Sequence, residues 1–157
     1  MALQIRKATE RDLPEIARLA GVLVRQHYGF DHKRFIFIEN PETGYEWWFN
    51  KELKNERALI LGAELDGKIV GYAYARLEEK DWNALLDEHG ALHDILVDES
   101  VRRQGIGKQL LDRVLAELRE RGVERVVLHT AVQNVSAHKL FESAGFRRTM
   151  LEMTCEL

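Results

Sequence analysis

The chain has 157 residues, of which 45% are hydrophobic and 31% are charged, and its formal net charge at neutral pH is −3. This length and composition predict one soluble globular domain, residues 1–157, with a buried core. The weakly acidic balance argues against a general nucleic-acid-binding protein. A membrane-spanning protein is not expected either, since no apolar stretch approaches the roughly 20 residues that a transmembrane helix needs.

The N-terminus and the cysteine content bear on the cellular compartment. Residues 1–6 lack the apolar core of a signal peptide. Cys155 is the one cysteine of the sequence, so it has no partner for an internal disulfide. We therefore expect a cytoplasmic protein in a reducing compartment.

Hydrophobic periodicity divides the chain into strands and helices. A strand at 3–7 precedes a helix whose apolar residues lie between 13 and 24, with Thr9 or Asp12 as its cap. Asp66-Gly67 is a strong hairpin signal between two apolar strands. The other predicted elements are a helix at 42–53, strands at 57–65, 68–77 and 91–97, a helix at 105–121, a strand at 123–130, a helix at 136–144 and a strand at 146–156. This order predicts an α/β fold around a mixed sheet.

A basic, glycine-containing turn joins the predicted strand at 91–97 to the next helix. Gly105 and Gly107 allow the backbone to turn sharply and to approach a bulky ligand. The first N–H groups of a helix have no intrahelical partner, and together with the helix dipole they favour a phosphate. The turn consists of Arg102, Arg103, Gln104, Gly105, Ile106, Gly107 and Lys108. Its three cations suit a ligand that carries several phosphates.

Two common phosphate-binding motifs do not fit this turn. It is not a Walker A loop, because no Ser or Thr follows Lys108. It is a poor dinucleotide fingerprint, because Leu110 stands where the third glycine belongs. A binder of nucleotide phosphates without a preference for CoA remains one alternative.

The turn resembles the acetyl-CoA signature Arg/Gln-x-x-Gly-x-Gly/Ala of the GCN5-related N-acetyltransferase (GNAT) family, which residues 102–107 match. Residues 5–12 are similar to the opening of that family. A downstream run resembles the family pattern Asn-x-x-Ala-x-x-Leu-Tyr-x-x-x-Gly-Phe and contains Asn134, Ala137, Leu140, Phe141, Gly145 and Phe146. The resemblance covers essentially the whole chain, apart from 28–56 and 79–90. It implies a single-domain GNAT-like fold, with a mixed, mostly antiparallel twisted sheet flanked by helices.

The resemblance also implies an N-acyltransferase that uses acetyl-CoA as co-substrate, without a metal. A primary amine on a small molecule or a peptide would attack the thioester directly in a ternary complex. Backbone groups near Leu96 and Val97 would hold the pantetheine, with Val97 polarising the carbonyl as an oxyanion donor. The implied CoA contacts are Leu96, Val97, Arg102, Arg103, Gln104, Gly105, Ile106, Gly107, Lys108, Asn134 and Phe141. Asn134 has a second interpretation as a helix cap.

His93 and Asp94 are the candidates for the base, since an alkylammonium must lose a proton before it can attack. The imidazole of His93 is the better base, because imidazoles titrate near neutral pH. Strand alternation predicts that the two side chains point to opposite faces, so that at most one faces the acceptor. The alternative is structural: Asp94 caps a loop and His93 is a hydrogen-bonded strand histidine.

Phe141 departs from the family pattern, which places a tyrosine there as the acid for the leaving thiolate. Phenylalanine cannot donate a proton. Ser136, His138, Ser143 or water could replace it, while Phe141 itself packs against the pantetheine or the core. The alternative is an acyl-CoA sensor, or an inactive relative, that binds CoA without turnover.

Two segments outside the resemblance are candidates for binding the acceptor. Residues 27–49 are rich in aromatic side chains, which attract cationic amines. The loop before the strand at 91–97 carries several acids: Glu78, Glu79, Asp81, Asp87 and Glu88. In the alternative interpretation the aromatics form a small core or the surface of a homodimer, and the acids are simply solvated.

Overall fold

The structure is a computed structural model that describes residues 2–157, and within them five strands and four helices form around one sheet. The strands are β1 (Leu3–Lys7), β2 (Ala58–Leu65), β3 (Lys68–Glu78), β4 (His89–Val97) and β5 (Val126–Leu128). The helices are α1 (Leu13–Phe30), α2 (Pro41–Glu52), α3 (Ile106–Glu120) and α4 (Val135–Ser143). Short 3-10 turns at Glu10–Asp12 and Glu99–Val101 precede α1 and α3.

The five strands follow one another in the sheet in the order β1-β2-β3-β4-β5. The first four pair antiparallel, and β5 pairs parallel with β4. The hairpin between β2 and β3 turns at Asp66 and Gly67, whose φ angles of 51° and 82° are those of a tight hairpin turn. The predicted α/β fold with a mixed, mostly antiparallel sheet is therefore confirmed.

Helices cover both faces of the sheet and bury two apolar cores. On one face α3 packs against the sheet together with Phe141 of α4. Its buried residues recur at helical spacing, which makes one apolar stripe: Ile106, Leu110, Leu111, Val114 and Leu118. On the other face α1 and α2 contribute Ile16, Leu19 and Phe49. No helix within residues 2–157 combines the length and the hydropathy needed to cross a membrane.

Arg6 of β1 ties the start of α1 to the sheet. Its guanidinium donates to Asp12 (Nη1–Oδ2, 2.7 Å) and to Glu64 of β2 (Nη2–Oε1, 2.8 Å). The hydrogen bond from Arg6 lowers the pKa of Asp12, which also accepts from the N–H of Thr9. Thr9 is the N-cap of the 3-10 turn, and Asp12 holds the N-cap position of α1 without a side-chain hydrogen bond to that helix.

Two predictions for the C-terminal part of the chain need correction. A strand does lie within 123–130, but β5 spans Val126–Leu128 alone. Residues 146–156 form no strand. A strand requires a neighbour that completes its backbone hydrogen bonds, and within residues 2–157 this segment pairs with none.

Candidate active site

The turn between β4 and α3 has a backbone that few side chains tolerate. Arg103 and Gly105 have φ angles of 66° and 77°, in the left-handed region. Gly105 is the N-cap of α3, and a Cβ built there would meet no atom within 4 Å. Since the space around position 105 is open, crowding does not explain the glycine. The left-handed backbone conformation is what favours it there.

Six successive backbone N–H groups of this turn, from Arg103 to Lys108, find no protein acceptor within the part of the chain that the structure describes. The first helical hydrogen bond is that from the N–H of Gln109 to the O of Gly105, at 3.1 Å. Consecutive free N–H groups around left-handed residues form a concave anion site, and the dipole of α3 adds positive potential there. The predicted cradle is thus built from the backbone.

The three cations of the turn have different surroundings. Arg102 donates from Nε to the carbonyl oxygen of Val97, at 3.2 Å. Lys108 forms an ion pair with Asp112 one helical turn later, at 2.5 Å. Arg103 forms no ion pair within residues 2–157 and is free to reach a phosphate.

A gap opens between β4 and β5 beyond Leu92, the last residue of their parallel pairing. The N–H of Asp98 donates to the O of Val70 in β3, at 2.7 Å. Because bonded and non-bonded pairs alternate along an antiparallel ladder, the backbone groups of Leu96 point towards β3 and those of Val97 point into the gap. The amide of Val97 is available to a ligand there, whereas that of Leu96 is used by the sheet.

Gly107 brings the start of α3 against the end of β4. A Cβ on Gly107 would lie 3.4 Å from Cδ2 of Leu140 and 3.7 Å from Cγ2 of Val97. The phosphate cradle therefore lies directly at the mouth of the gap between β4 and β5.

A β-bulge at His93 changes the direction of the side chains along β4. The register between β3 and β4 shifts by one residue at this point. As a result Leu92 packs in the core beneath α3, whereas Leu96 packs in the core beneath α1 and α2. In a regular strand these two residues would share a face. The prediction that His93 and Asp94 face opposite sides is therefore wrong, because the extra residue directs both towards α2.

The side chains of His93 and Asp94 line a cavity of about 590 Å³ between α2, the loop before it and the strands β3 and β4. This volume is within the range of sites for small molecules or the end of a peptide. Its lining residues are Ile38, Asn40, Pro41, Gly44, Tyr45, Trp48, Tyr74, Arg76, Glu78, His93 and Asp94.

The imidazole of His93 is half-exposed at the cavity and is held by two contacts. Its Nε2 lies 3.1 Å from Oε1 of Glu78. Its ring stacks on Tyr74, with a centroid distance of 5.4 Å and an interplanar angle of 29°. Nδ1 has no hydrogen-bond partner among the described residues. The contact at Nε2 orients the ring, and Nδ1 is left for a ligand.

The carboxylate of Asp94 is buried more deeply than His93. Burial raises its pKa, although the hydrogen bond from the Tyr72 hydroxyl acts in the opposite direction. The pKa of Tyr45, which also lines the cavity, is raised by burial and by the charge of Asp94. Asp94 therefore holds a proton more readily than an exposed aspartate does.

A polar network that joins three lining residues of the cavity to the buried Glu52 was not predicted from the sequence. Tyr74 donates to the buried carboxylate of Glu52 (2.6 Å), and the indole N–H of Trp48 donates to the Tyr74 hydroxyl (3.3 Å). Arg76 lies 3.1 Å from the same Glu52 carboxylate and 3.9 Å from Glu78. Tyr74 and Arg76 lie within the mostly apolar sequence of β3, and Glu52 is an ordinary glutamate at the end of a helix. No sequence pattern therefore marks the three residues.

Asn134 and Phe141 occupy structural positions. Asn134 is the N-cap of α4, where its Oδ1 accepts from the N–H of Ala137 at 3.4 Å, as the alternative interpretation proposed. Phe141 is buried in the core beside Phe146, with 5.9 Å between the ring centroids. Its packing against the core is confirmed.

The three protein donors considered in place of a tyrosine are already bonded. Ser143 donates to the carbonyl of Leu140 at 2.6 Å, and His138 Nε2 lies 2.8 Å from the carbonyl of Ala131. Ser136 lies 3.4 Å from the side chain of Asn134.

Each of the two segments considered for binding the acceptor has some residues that line the cavity and others that lie outside it. The aromatic segment supplies Tyr45 and Trp48 to the cavity, while Trp47 is exposed. Of the acidic residues, Glu78 lines the cavity and the others do not. Within residues 2–157, no group of three or more His, Cys, Asp or Glu side chains is arranged around a possible metal position.

Sequence comparison relates the chain to acetyltransferases. Residues 21–146 match the model of the acetyltransferase (GNAT) family. The chain is 33% identical to the [ribosomal protein bS18]-alanine N-acetyltransferase of Escherichia coli K12, over 73% of each chain. It is 29% identical to a mycothiol acetyltransferase of Thermomonospora curvata, over 96% of this chain and 53% of that protein. The chain thus spans about half the length of the mycothiol acetyltransferases that it matches.

Structural comparison gives the same fold. A variant of the BH1408 protein from Bacillus halodurans superposes with a TM-score of 0.87 at 24% identity, over 98% of this chain and 99% of that one. The aminoglycoside N-acetyltransferase AAC(6')-Iy, solved with CoA, superposes with a TM-score of 0.80 at 20% identity, over 99% of this chain and 95% of that one. At these identities the likeness concerns the fold alone.

Proposed function

The chain belongs to the acetyltransferase (GNAT) family, and on this premise we propose that it transfers an acetyl group from acetyl-CoA to a primary amine. The acceptor is a small molecule or the end of a peptide, and it attacks the thioester directly in a ternary complex. The observation that carries this proposal is the position of β4, whose C-terminal end borders the phosphate cradle and whose middle lines the acceptor cavity. Asp94 and Val97 lie about 10 Å apart along the strand.

The backbone cradle binds the pyrophosphate of CoA in this proposal. The N–H groups from Arg103 to Lys108 are the donors, and the side chains of Arg102 and Arg103 add positive charge. Gly107 lies against Val97, so the pantetheine arm passes from the cradle directly into the gap between β4 and β5.

Val97 polarises the thioester carbonyl. Its N–H points into the gap and is fixed there by the sheet, so it needs no reorganisation as negative charge develops on the oxygen. The backbone of Leu96 takes no part in this contact because it pairs with β3.

His93 removes the proton of the acceptor ammonium. Its ring is oriented by Glu78 and Tyr74, and its free Nδ1 is available to the cavity. Asp94 faces the same cavity as a hydrogen-bond acceptor for the amine, held by Tyr72. The bulge makes this division of roles possible, since it directs both side chains to one face.

The cavity favours a cationic acceptor with an apolar portion. Tyr45, Trp48 and Tyr74 provide aromatic surface, which attracts an ammonium group. The one guanidinium of the lining, that of Arg76, is paired with Glu52 and lies near Glu78, so it adds little net positive charge.

Release of CoA proceeds without a protein acid at position 141. A CoA thiolate is a tolerable leaving group near neutral pH, by comparison with the cysteine thiol. We assign its protonation to water, because the protein donors near α4 are already bonded.

Thiol release from acetyl-CoA, measured with a panel of small primary amines and of peptides with free N-termini, tests the proposal. We expect release that depends on one class of amine. Saturable binding of acetyl-CoA with no release for any acceptor would contradict the proposal and favour the acyl-CoA sensor. Stronger protection against heat by ATP or NAD than by acetyl-CoA would favour a general nucleotide binder.

A further inference from the structure

The carboxylate of Glu52, at the end of α2, is buried and held from two sides. Only 4% of Glu52 is exposed. Its Oε2 accepts a hydrogen bond from the Tyr74 hydroxyl at 2.6 Å, and its Oε1 accepts one from the side-chain amide of Asn55 at 3.3 Å. Hydrogen bonds to an ionised carboxylate are strong, and here there is one on each oxygen. Glu52 therefore places a negative charge at a defined position between α2 and β3.

The guanidinium of Arg76 lies between this carboxylate and that of Glu78. Its Nε is 3.1 Å from Oε2 of Glu52, and its Nη1 is 3.9 Å from Oε1 of Glu78. The Nε–H is buried but makes no hydrogen bond of good geometry among the described residues. Arg76 is thus drawn to Glu52 by charge, and the attraction is stronger than that to Glu78 because the distance is shorter.

Arg76 and His93 face the same oxygen of Glu78. Oε1 of Glu78 lies 3.1 Å from Nε2 of His93 and 3.9 Å from Nη1 of Arg76. A guanidinium that approaches a carboxylate closely tends to form a bidentate pair, which uses both oxygens. Such a pair between Arg76 and Glu78 would occupy the oxygen that orients the imidazole.

We propose that Glu52 is a positioning residue: it holds Arg76 away from Glu78, and Glu78 is thereby left to orient the imidazole of His93. This role rests on the proposed function of His93 as the base. Within the described part of the chain Glu52 does not line the cavity, so it acts through other side chains. Its hydrogen bond with Tyr74 supports the same arrangement, since the imidazole stacks on the Tyr74 ring.

A purely structural role for Glu52 leads to a different expectation. Glu52 joins α2 to β3 through Tyr74, and this connection by itself stabilises the fold. If that were its whole role, the effect of neutralising Glu52 would be the same with or without Arg76. In the positioning role the damage comes from the released guanidinium, so removing the guanidinium as well restores the site.

The Glu52→Gln variant isolates the effect of the charge. Glutamine keeps the size of the side chain and an oxygen that accepts from Tyr74, but it no longer attracts Arg76. In a crystal structure of the variant we expect Arg76 to have moved to Glu78, with an N–O distance of about 2.8 Å, and His93 to have lost that contact. With the amine that the wild type accepts, kcat should fall about tenfold. The KM for acetyl-CoA should change less than about twofold, because the phosphate cradle is distant from the substitution.

The double variant Glu52→Gln/Arg76→Gln tests for rescue. It removes the guanidinium together with its partner, so no cation competes for Glu78, and kcat should recover to within about threefold of the wild-type value. Glu42→Gln is the matched control, because it takes a carboxylate of the same helix from another arginine, Arg25, outside the cavity lining. Its kcat should equal that of the wild type.

The outcomes distinguish this role from the proposed function. A wild type that releases no thiol with any amine would contradict acetyl transfer, and the crystal structure of Glu52→Gln would still show whether Arg76 moves to Glu78. An unmoved Arg76, an unchanged kcat, or a loss of kcat that persists in the double variant would overturn the positioning role. A Glu52→Gln protein that does not fold would overturn it as well, because Glu52 would then serve the fold and not the base.

Discussion

The hydroxyl of Tyr72 lies 2.9 Å from Oδ2 of Asp94 and donates a hydrogen bond to it. Tyr72 is fully buried, and burial raises the pKa of its hydroxyl well above the usual value. Burial also raises the pKa of Asp94. Ionisation of Asp94 in the cavity wall therefore has a cost in stability, as is common for groups that serve a site.

The Asp94→Asn variant is expected to be more stable than the wild type at neutral pH. A folded-state pKa above the unfolded value means that ionisation of Asp94 opposes folding once the pH exceeds the unfolded value. The advantage of the variant should therefore be largest at neutral pH and should shrink as the pH falls through the folded pKa towards the ordinary aspartate value. Urea denaturation between pH 4 and pH 8 measures it. An advantage that grows as the pH falls would contradict this assignment.

The His93→Gln variant is expected to lower kcat for acetyl transfer by a factor of about 100, with a smaller effect on the affinity for acetyl-CoA. Loss of the base matters most at low pH, where more of the acceptor is protonated, so the difference from the wild type should increase there. The pH dependence of kcat between 6 and 9 measures this effect. A parallel profile, displaced equally at all pH values, would count against His93 as the base.

The Glu78→Gln variant tests the orientation of His93 by Glu78. The neutral amide weakens the contact that orients the imidazole, so kcat should fall by about tenfold. Glu88→Gln is the control, because Glu88 is exposed and lies outside the cavity lining. Equal kcat values for the two variants would show that Glu78 does not position the base.

Alanine substitutions separate the two glycines of the cradle. Gly105→Ala forces a side chain into the left-handed region, which costs about 1–2 kcal/mol, and should weaken acetyl-CoA binding about tenfold. Gly107→Ala places its methyl group at ordinary contact distance from Leu140 and has helical backbone, so CoA affinity should change by less than about twofold. Calorimetric titration of both variants compares them. Equal losses would show that the conformation of position 105 is not what shapes the site.

Asp112 forms an ion pair with Lys108 at the start of α3, and in the proposed site it would compete with the CoA phosphates for that cation. Asp112→Asn is expected to tighten acetyl-CoA binding about two- to threefold, in line with the modest value of an exposed pair. Glu117→Gln, which removes the partner of Arg113 further along the same helix, is the matched control and should leave the affinity unchanged. Titration at low and high salt measures both, and the gain should diminish at high salt. An unchanged affinity in Asp112→Asn would place Lys108 outside the phosphate site.

The amino-acid sequence was enough to predict the order of the elements up to α4 and the glycine-containing turn before α3. Both depend on local information. Helices and strands were predicted from periodicities of about 3.6 and 2 residues, and the cradle is a contiguous run in which Gly105 supplies the conformation and the start of α3 supplies the donors. A contiguous motif of this kind does not depend on contacts with distant parts of the chain, so it can be predicted from the sequence.

The composition of the acceptor cavity was decided by the tertiary structure. Glu52, Tyr74 and Arg76 come from α2 and β3 and meet at the wall of the cavity, and no local pattern marks them. The bulge at His93 inserts one residue against β3, and this register depends on the pairing of two strands. A shift of one residue reverses the face of every side chain beyond it, so alternation along β4 alone gave the wrong directions for His93 and Asp94.

Residues 147–157 are a second case in which local sequence is not sufficient to predict the structure. Their sequence has the character of a strand, but a strand exists only where a neighbouring backbone completes its hydrogen bonds. Local propensity can therefore be predicted from the sequence of the segment. Strand pairing, register and the face that a side chain occupies depend on which neighbouring strand the tertiary structure places beside it.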